Sequence, residues 1–318
     1  MNRFNVLFCL CLTFLSFAFA AEPLELSTLS GTLYGTLELP EDSAPYPVVL
    51  IHPGSGPTDQ DGNQPQMNND SLKLLAEALA AGGVASVRID KRGVAESVAA
   101  GPDETELRFN TYIEDAAAWL ELLQADERFG KVIMMGHSEG SLIGMVAAER
   151  VGADAFISLA GAGRPAGTVI AEQLSGQLPP DLLGASEEVL RRLEAGETVE
   201  PLPETLANVP GIDALFRPSV QPYLISWFRY DPAAELAKLS VPSLTVQGTT
   251  DLQTSAEDAA LLSAARPDAQ ALTVEGMNHI LKDAPADPQA NFATYNDPNL
   301  PLAEGLTNAL LDFIGALP

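Results

Sequence analysis

The chain has 318 residues, 46% of them hydrophobic and 19% charged, enough apolar material for one large buried core. Its formal net charge of −26 at pH 7 argues against nucleic acid or an anionic lipid surface as a partner, because either would repel it. The acids are dispersed along the chain, which fits solubility better than a disordered acidic tail.

Met1-Asn2-Arg3 is a short basic start, residues 4–19 are almost wholly apolar, and Ala18-Phe19-Ala20 is a small-x-small cleavage site. This reads as a secretory signal peptide over 1–20, too short for a permanent membrane anchor. It predicts export and release into periplasm or medium, with no stable membrane insertion. Both cysteines, Cys9 and Cys11, lie in it, so the processed chain is expected to have no disulfide, metal thiolate or cysteine nucleophile.

Residues 31–39 alternate and predict an early antiparallel strand, and 48–51 predict a buried one. Residues 71–81 predict a helix with Leu72, Leu75, Ala76 and Leu79 on one face, stopped by Gly82-Gly83. A strand follows over 84–89, then a helix over 110–123 with Ile113, Ala116, Ala117 and Leu120 in one stripe. Next come a strand at 132–135, a helix at 141–150 and a strand at 155–159. Later segments are strands at 244–247 and 271–274 and helices at 255–265 and 302–314. Such alternation implies the α/β class, a doubly wound and mainly parallel sheet covered on both faces.

Residues 21–163 and 231–318 are expected to build that core, with 164–230 inserted between them. The insertion has helical patterns at 170–174 and 186–193, separated by Pro179-Pro180, Pro201-Leu202-Pro203 and Val209-Pro210-Gly211. It reads as a helical lid across the C-terminal edge of the strands. Phe216, Tyr223, Trp227, Phe228 and Tyr230 crowd its end. Trp227 and Phe228, with Gly54, are the candidate substrate contacts, although an aromatic in such a segment more often packs the lid onto the core.

The chemistry centres on Gly136-His137-Ser138-Glu139-Gly140, a G-x-S-x-G between a strand and a helix. That context makes Ser138 a nucleophile on a sharp turn, with the Glu139 N–H at the new helix N-terminus as an oxyanion donor. A serine needs a base, and the chain has three histidines. His137 sits inside the turn, aimed wrongly, and His52 comes early, which leaves His279 in the loop after 271–274. Asp251 follows the 244–247 strand directly and is the candidate acid. Asp258 and Asp283 are weaker rivals, the first within a helix and the second beyond His279. The second oxyanion donor is sought in the glycine-rich loop His52-Pro53-Gly54-Ser55-Gly56, with Ser55 as the candidate and Gly54 beside it; Pro53 lacks an N–H.

Together these motifs resemble the α/β-hydrolase superfamily, most closely bacterial serine esterases with an early G-S-G-P-T-D-x-D-G-N loop, matched here by Gly54 to Asn63. Val87-Arg88-Ile89-Asp90-Lys91-Arg92-Gly93 matches that group's strand-end D-K-R-G, and the Asp251 and His279 loops match its acid and base loops. The resemblance implies Ser138 nucleophile, His279 base, Asp251 acid, and Ser55 and Glu139 amides in the oxyanion hole. The expected substrate is a small-molecule carboxylic ester of short to medium acyl chain. A serine peptidase or amidase of the same fold is the alternative, and a non-catalytic binding protein is a further one. No cofactor is expected. Asp59 and Asp61 are calcium-ligand types without the terminal glutamate of a calcium loop, so no metal is expected. Asp90 and Arg92 are expected to salt-bridge loops near the site rather than take part in chemistry.

Overall fold

The computed structural model describes residues 20–41, 43–207, 209 and 211–318. The expected signal segment, with Cys9 and Cys11, lies outside the described residues except for Ala20 at its end. In chain order the strands are β1 (Ala20–Thr28), β2 (Gly31–Leu39), β3 (Tyr46–His52), β4 (Ala85–Ile89), β5 (Phe129–His137), β6 (Ala155–Leu159), β7 (Ser243–Gly248) and β8 (Gln270–Val274). The helices are α1 (Ser71–Ala81), α2 (Phe109–Gln124), α3 (Glu139–Val151), α4 (Ala166–Ser175), α5 (Pro180–Glu194), α6 (Ile212–Phe216), α7 (Gln221–Trp227), α8 (Pro232–Lys238), α9 (Ala256–Ala265), α10 (Pro288–Ala293) and α11 (Leu306–Gly315).

One sheet runs β1-β2-β4-β3-β5-β6-β7-β8. The pairs β1–β2 and β2–β4 are antiparallel, and the rest are parallel. Strand pleating divides the core. Val48 and Leu50 of β3 and Val132 and Met134 of β5 enter the cluster that includes α2 and α3. Val49, Ile51, Ile133 and Met135 enter the opposite cluster, with α1 and α11. These parallel strands are buried on both faces, so they read as continuous apolar runs.

Three elements depart from expectation. β1 is a strand in which Leu24 and Leu26 alternate with Glu25 and Ser27; Pro23 hides that pattern but costs little at a sheet edge. The last helix starts at Leu306 rather than 302, because Leu302 bridges to Lys282 and Gly305 takes φ 84 before the first turn. The short α10 begins where the Asp287 carboxylate accepts the Ala290 N–H at 3.0 Å. The inserted segment carries α4 through α7 between β6 and β7. Its first two helices are longer than the apolar pattern alone predicts.

Candidate active site

At the end of β5, Ser138 takes φ 55 and ψ −122, a region that costs a residue with a side chain about 1–3 kcal/mol. Close packing holds that strain. A Cβ on Gly136 would run into the Gly140 carbonyl, and one on Gly140 into the carbonyls of His52 and Pro53, so only glycine fits at either position. The Ser138 N–H bonds Leu159 O at 2.9 Å, and the Ser141 N–H closes on Ser138 O at 3.0 Å as α3 begins.

Asp251 follows β7 and His279 follows β8, which brings both to the edge where β5 ends. His279 Nδ1 lies 2.9 and 3.1 Å from the two Asp251 oxygens. A carboxylate only accepts, so Nδ1–H donates and a neutral ring keeps Nε2 bare to take a proton. Asp251 also accepts the N–H of Gln253 at 2.7 Å and of Thr254 at 3.1 Å, and the Thr254 hydroxyl at 2.9 Å. Burial alone would raise its pKa; the adjoining His279 imidazole and these hydrogen bonds outweigh burial and hold it below the ordinary value.

The other histidines are neutral props. The His137 Nε2–H donates to the His279 carbonyl at 2.7 Å, tethering the loop that carries the candidate base. Burial first, and then the nearby His279, lower the His137 pKa to about 4. The His52 Nδ1–H donates to Pro53 O at 2.9 Å, and burial and Lys91 lower its pKa to about 3.

The Gly54–Asn63 loop lies on the turn: a Cβ on Gly54 would sit 3.1 Å from Ser138 Cβ. Ser55 follows, exposed, beside the same cavity as Ser138 and Glu139. Neither the Ser55 nor the Glu139 N–H gives a backbone hydrogen bond among the described residues. The loop's side chains hold its own shape. The Thr58 hydroxyl donates to Ser55 O at 2.7 Å, and Asp59 Oδ1 accepts the N–H of Asp61 at 2.9 Å and of Asn63 at 2.8 Å. Asp61 pairs with Arg88, which also reaches Glu38 at 3.3 Å. Among the described residues no group of His, Cys, Asp and Glu is arranged to hold a metal ion.

Asp90 and Arg92 divide. Arg92 forms a buried fork with Asp115 of α2, its Nε 2.8 Å from Oδ2, as an ion pair between loop and helix. Asp90 forms no salt bridge among the described residues, which corrects the expectation for it. It accepts the N–H of Gln60 at 2.8 Å and of Glu96 at 3.2 Å, and burial pushes its pKa up to about 6. The rival Asp258 is committed elsewhere: it caps α9 and takes Arg164 Nη2 at 2.8 Å. Asp283 is exposed.

A cavity of about 670 Å³ opens beside Ser138, walled by the 55–57 loop and by Val169, Ile170, Leu215 and Trp227 of the insertion. A small pocket of about 50 Å³ lies on the His279 side, lined also by Gly54 and Ser138. Trp227 thus reaches the cavity, stacked on Phe109 at 5.8 Å and 8°. Phe228 is not among the cavity's lining residues; it packs beside Trp227 against the core.

The motifs did not identify the charged floor of this cavity. Lys91 Nζ lies 3.8 Å from Glu139 Oε2 and donates to Gly54 O, and the Tyr223 hydroxyl donates to Glu139 Oε1. Burial raises the Glu139 pKa against the pull of Lys91, and lowers that of Lys91 against the pull of Glu139. The signal available in the sequence was a lysine in the D-K-R-G strand end and an acid directly after the serine.

Est1E from Butyrivibrio proteoclasticus superposes with a TM-score of 0.58, covering 92% of this chain and 99% of that one at 16% identity. An esterase from Pyrococcus furiosus gives 0.56 over 93% and 91% at 13% identity. The chain has the α/β-hydrolase fold. Within it, the Hydrolase_4 family (serine aminopeptidase, S33) matches residues 69–197, a stretch that contains Ser138 and stops before Asp251 and His279. The esterase EstD of Thermotoga maritima is 29% identical over 259 residues, 80% of this chain. This chain spans 59% of that relative's length.

Proposed function

We propose that this α/β-hydrolase chain is a serine hydrolase of carboxylic esters, acting through an acyl-enzyme. The observation that carries the reading is the strained Ser138 on the same sheet edge as an Asp251-oriented His279. In the proposed cycle His279 Nε2 takes the Ser138 proton as Oγ attacks the ester carbonyl. The Ser55 and Glu139 N–H groups receive the oxyanion, and His279 returns the proton to the leaving alcohol. Water repeats the sequence and releases the acid.

The relatives named esterases favour an ester, whereas the matched family is described as a serine aminopeptidase. A free α-amino group needs an unpaired carboxylate. The cavity's two glutamates are already committed, Glu104 to Arg217 and Glu139 to Lys91 and Tyr223. An uncharged ester therefore suits the cavity better. Its volume of about 670 Å³ fits short to medium acyl chains under the insertion, which we read as a lid. Export by the N-terminal apolar segment completes the proposal; a mature N-terminus at Ala21 in exported protein is the outcome it requires.

The test is hydrolysis of p-nitrophenyl acetate, butyrate and octanoate, and of an aminoacyl p-nitroanilide, beside Ser138→Ala. Ester turnover that falls on the order of 10⁴-fold or more in the mutant supports the reading. Equal rates in both proteins, or cleavage of the anilide alone, would overturn it.

A further inference from the structure

Building on the serine hydrolase reading, we propose that Lys91 is a positioning residue for the oxyanion site, acting through the Gly54–Ser55 peptide and through Glu139. The Gly54 carbonyl and the Ser55 N–H are two ends of one planar amide. Lys91 Nζ donates to that carbonyl, so it fixes the rotation of the plane and with it the direction of the Ser55 N–H. A cation drawing on the oxygen also polarises the amide and strengthens its N–H as a donor.

The second donor belongs to Glu139, whose carboxylate faces the same ammonium at 3.8 Å. One ion pair therefore connects the two amides, one in the loop after β3 and one at the start of α3. Lys91 is 3% exposed and Glu139 7%, so water screens the pair little. An uncompensated carboxylate at Glu139 would oppose negative charge growing beside its own N–H, and Lys91 cancels that opposition. The Tyr112 ring lies 5.3 Å from Nζ, and the Tyr223 hydroxyl donates to Glu139 Oε1.

The test uses the full protein with p-nitrophenyl butyrate and a trifluoromethyl ketone, which captures the serine as a tetrahedral oxyanion. Lys91→Met is expected to lower kcat on the order of 10²-fold, the scale of losing an oxyanion donor, with KM within about twofold. Ketone affinity should fall in parallel with kcat/KM, a correlation that a merely structural lysine would not produce. Lys91→Ala should recover part of kcat with added ethylammonium. If neither lysine variant folds, Glu139→Gln takes their place. It keeps the Tyr223 acceptor and the shape but takes from Lys91 Nζ the carboxylate that holds it on the Gly54 carbonyl, and should lower kcat and ketone affinity together by about tenfold. A folded variant with kcat and ketone affinity unchanged, or with KM raised at constant kcat, overturns the proposal. Failure of a fluorophosphonate to label Ser138 in the unmodified protein would instead remove the hydrolase reading.

Discussion

The turn at Ser138 and the inserted helices are two walls of one cavity built on opposite principles. The turn is made by backbone against backbone: Gly136 against Gly140, and Gly140 against His52 and Pro53, with no room for one added carbon. The insertion is made by side chains, with Val169, Ile170, Leu215 and Trp227 presenting an apolar surface over the serine. Reacting atoms need alignment to fractions of an ångström, whereas an acyl chain needs only a dry wall of about the right shape. The difference teaches where chemistry and selectivity are separable: substitutions in the first wall should remove turnover or fold, and substitutions in the second should re-size the substrate.

The sharpest way to break that division is Asp251→Asn, which keeps the shape of the acid but offers His279 an amide. We expect kcat to fall on the order of 10⁴-fold with KM little changed, measured on p-nitrophenyl butyrate. Retention of most activity would move the acid's role away from Asp251. Gly136→Ala tests the backbone wall itself. Its methyl meets a carbonyl that cannot swing aside, so a loss of about 3 kcal/mol or more is expected, seen as a lowered unfolding midpoint or insoluble protein. Trp227→Ala should leave acetate turnover of the folded protein nearly intact, although loss of the Phe109 stack lowers its unfolding midpoint. Octanoate kcat/KM should drop about tenfold, since a longer chain loses more buried contact. An equal drop for acetate and octanoate would mean that the two walls are not separable at Trp227.

The sequence exposes the backbone wall better than the side-chain wall, for a physical reason. A turn that only glycine can make leaves glycines at fixed spacing, and a strand buried on both faces leaves an apolar run such as Val132-Ile133-Met134-Met135. The Asp251 loop is legible because it follows such a strand, β7, and the His279 loop because it follows the short apolar run of the half-exposed edge strand β8. Contacts between distant segments leave no local pattern. Nothing near Lys91 announces Glu139 or the Gly54 carbonyl, and nothing near Tyr223 announces that its hydroxyl meets the residue after the serine. Trp227 and Phe228 are neighbours of similar character; both pack on the core, and only Trp227 also lines the cavity. Asp90 misleads in the same way: an acid beside Lys91 and Arg92 suggests an ion pair, yet it spends its oxygens on two loop amides.

That last contact carries the smallest effect, on the backbone side of the division. Burial leads the shift that takes the Asp90 pKa from an ordinary 3.8 to about 6, with the Gln60 and Glu96 amides pulling the other way. Below pH 3.8 the carboxyl is protonated in folded and unfolded chains alike and costs nothing. As pH rises toward 6 the unfolded chain ionises first, so the unfolded state gains and the folded state loses; above 6 the loss is constant. In Asp90→Asn the position does not titrate. Its amide oxygen keeps the Gln60 bond and gives up the Glu96 bond, a fixed offset at every pH. Acid destabilisation from His52 and His137 is common to both proteins and cancels in their difference. The unfolding midpoint of Asp90→Asn relative to the unmodified protein should therefore climb between pH 4 and 6 and flatten above, by an amount worth about 1 kcal/mol or less once solvent screening is allowed for. A flat difference across that window would mean that the two loop amides outweigh burial and keep Asp90 ionised throughout.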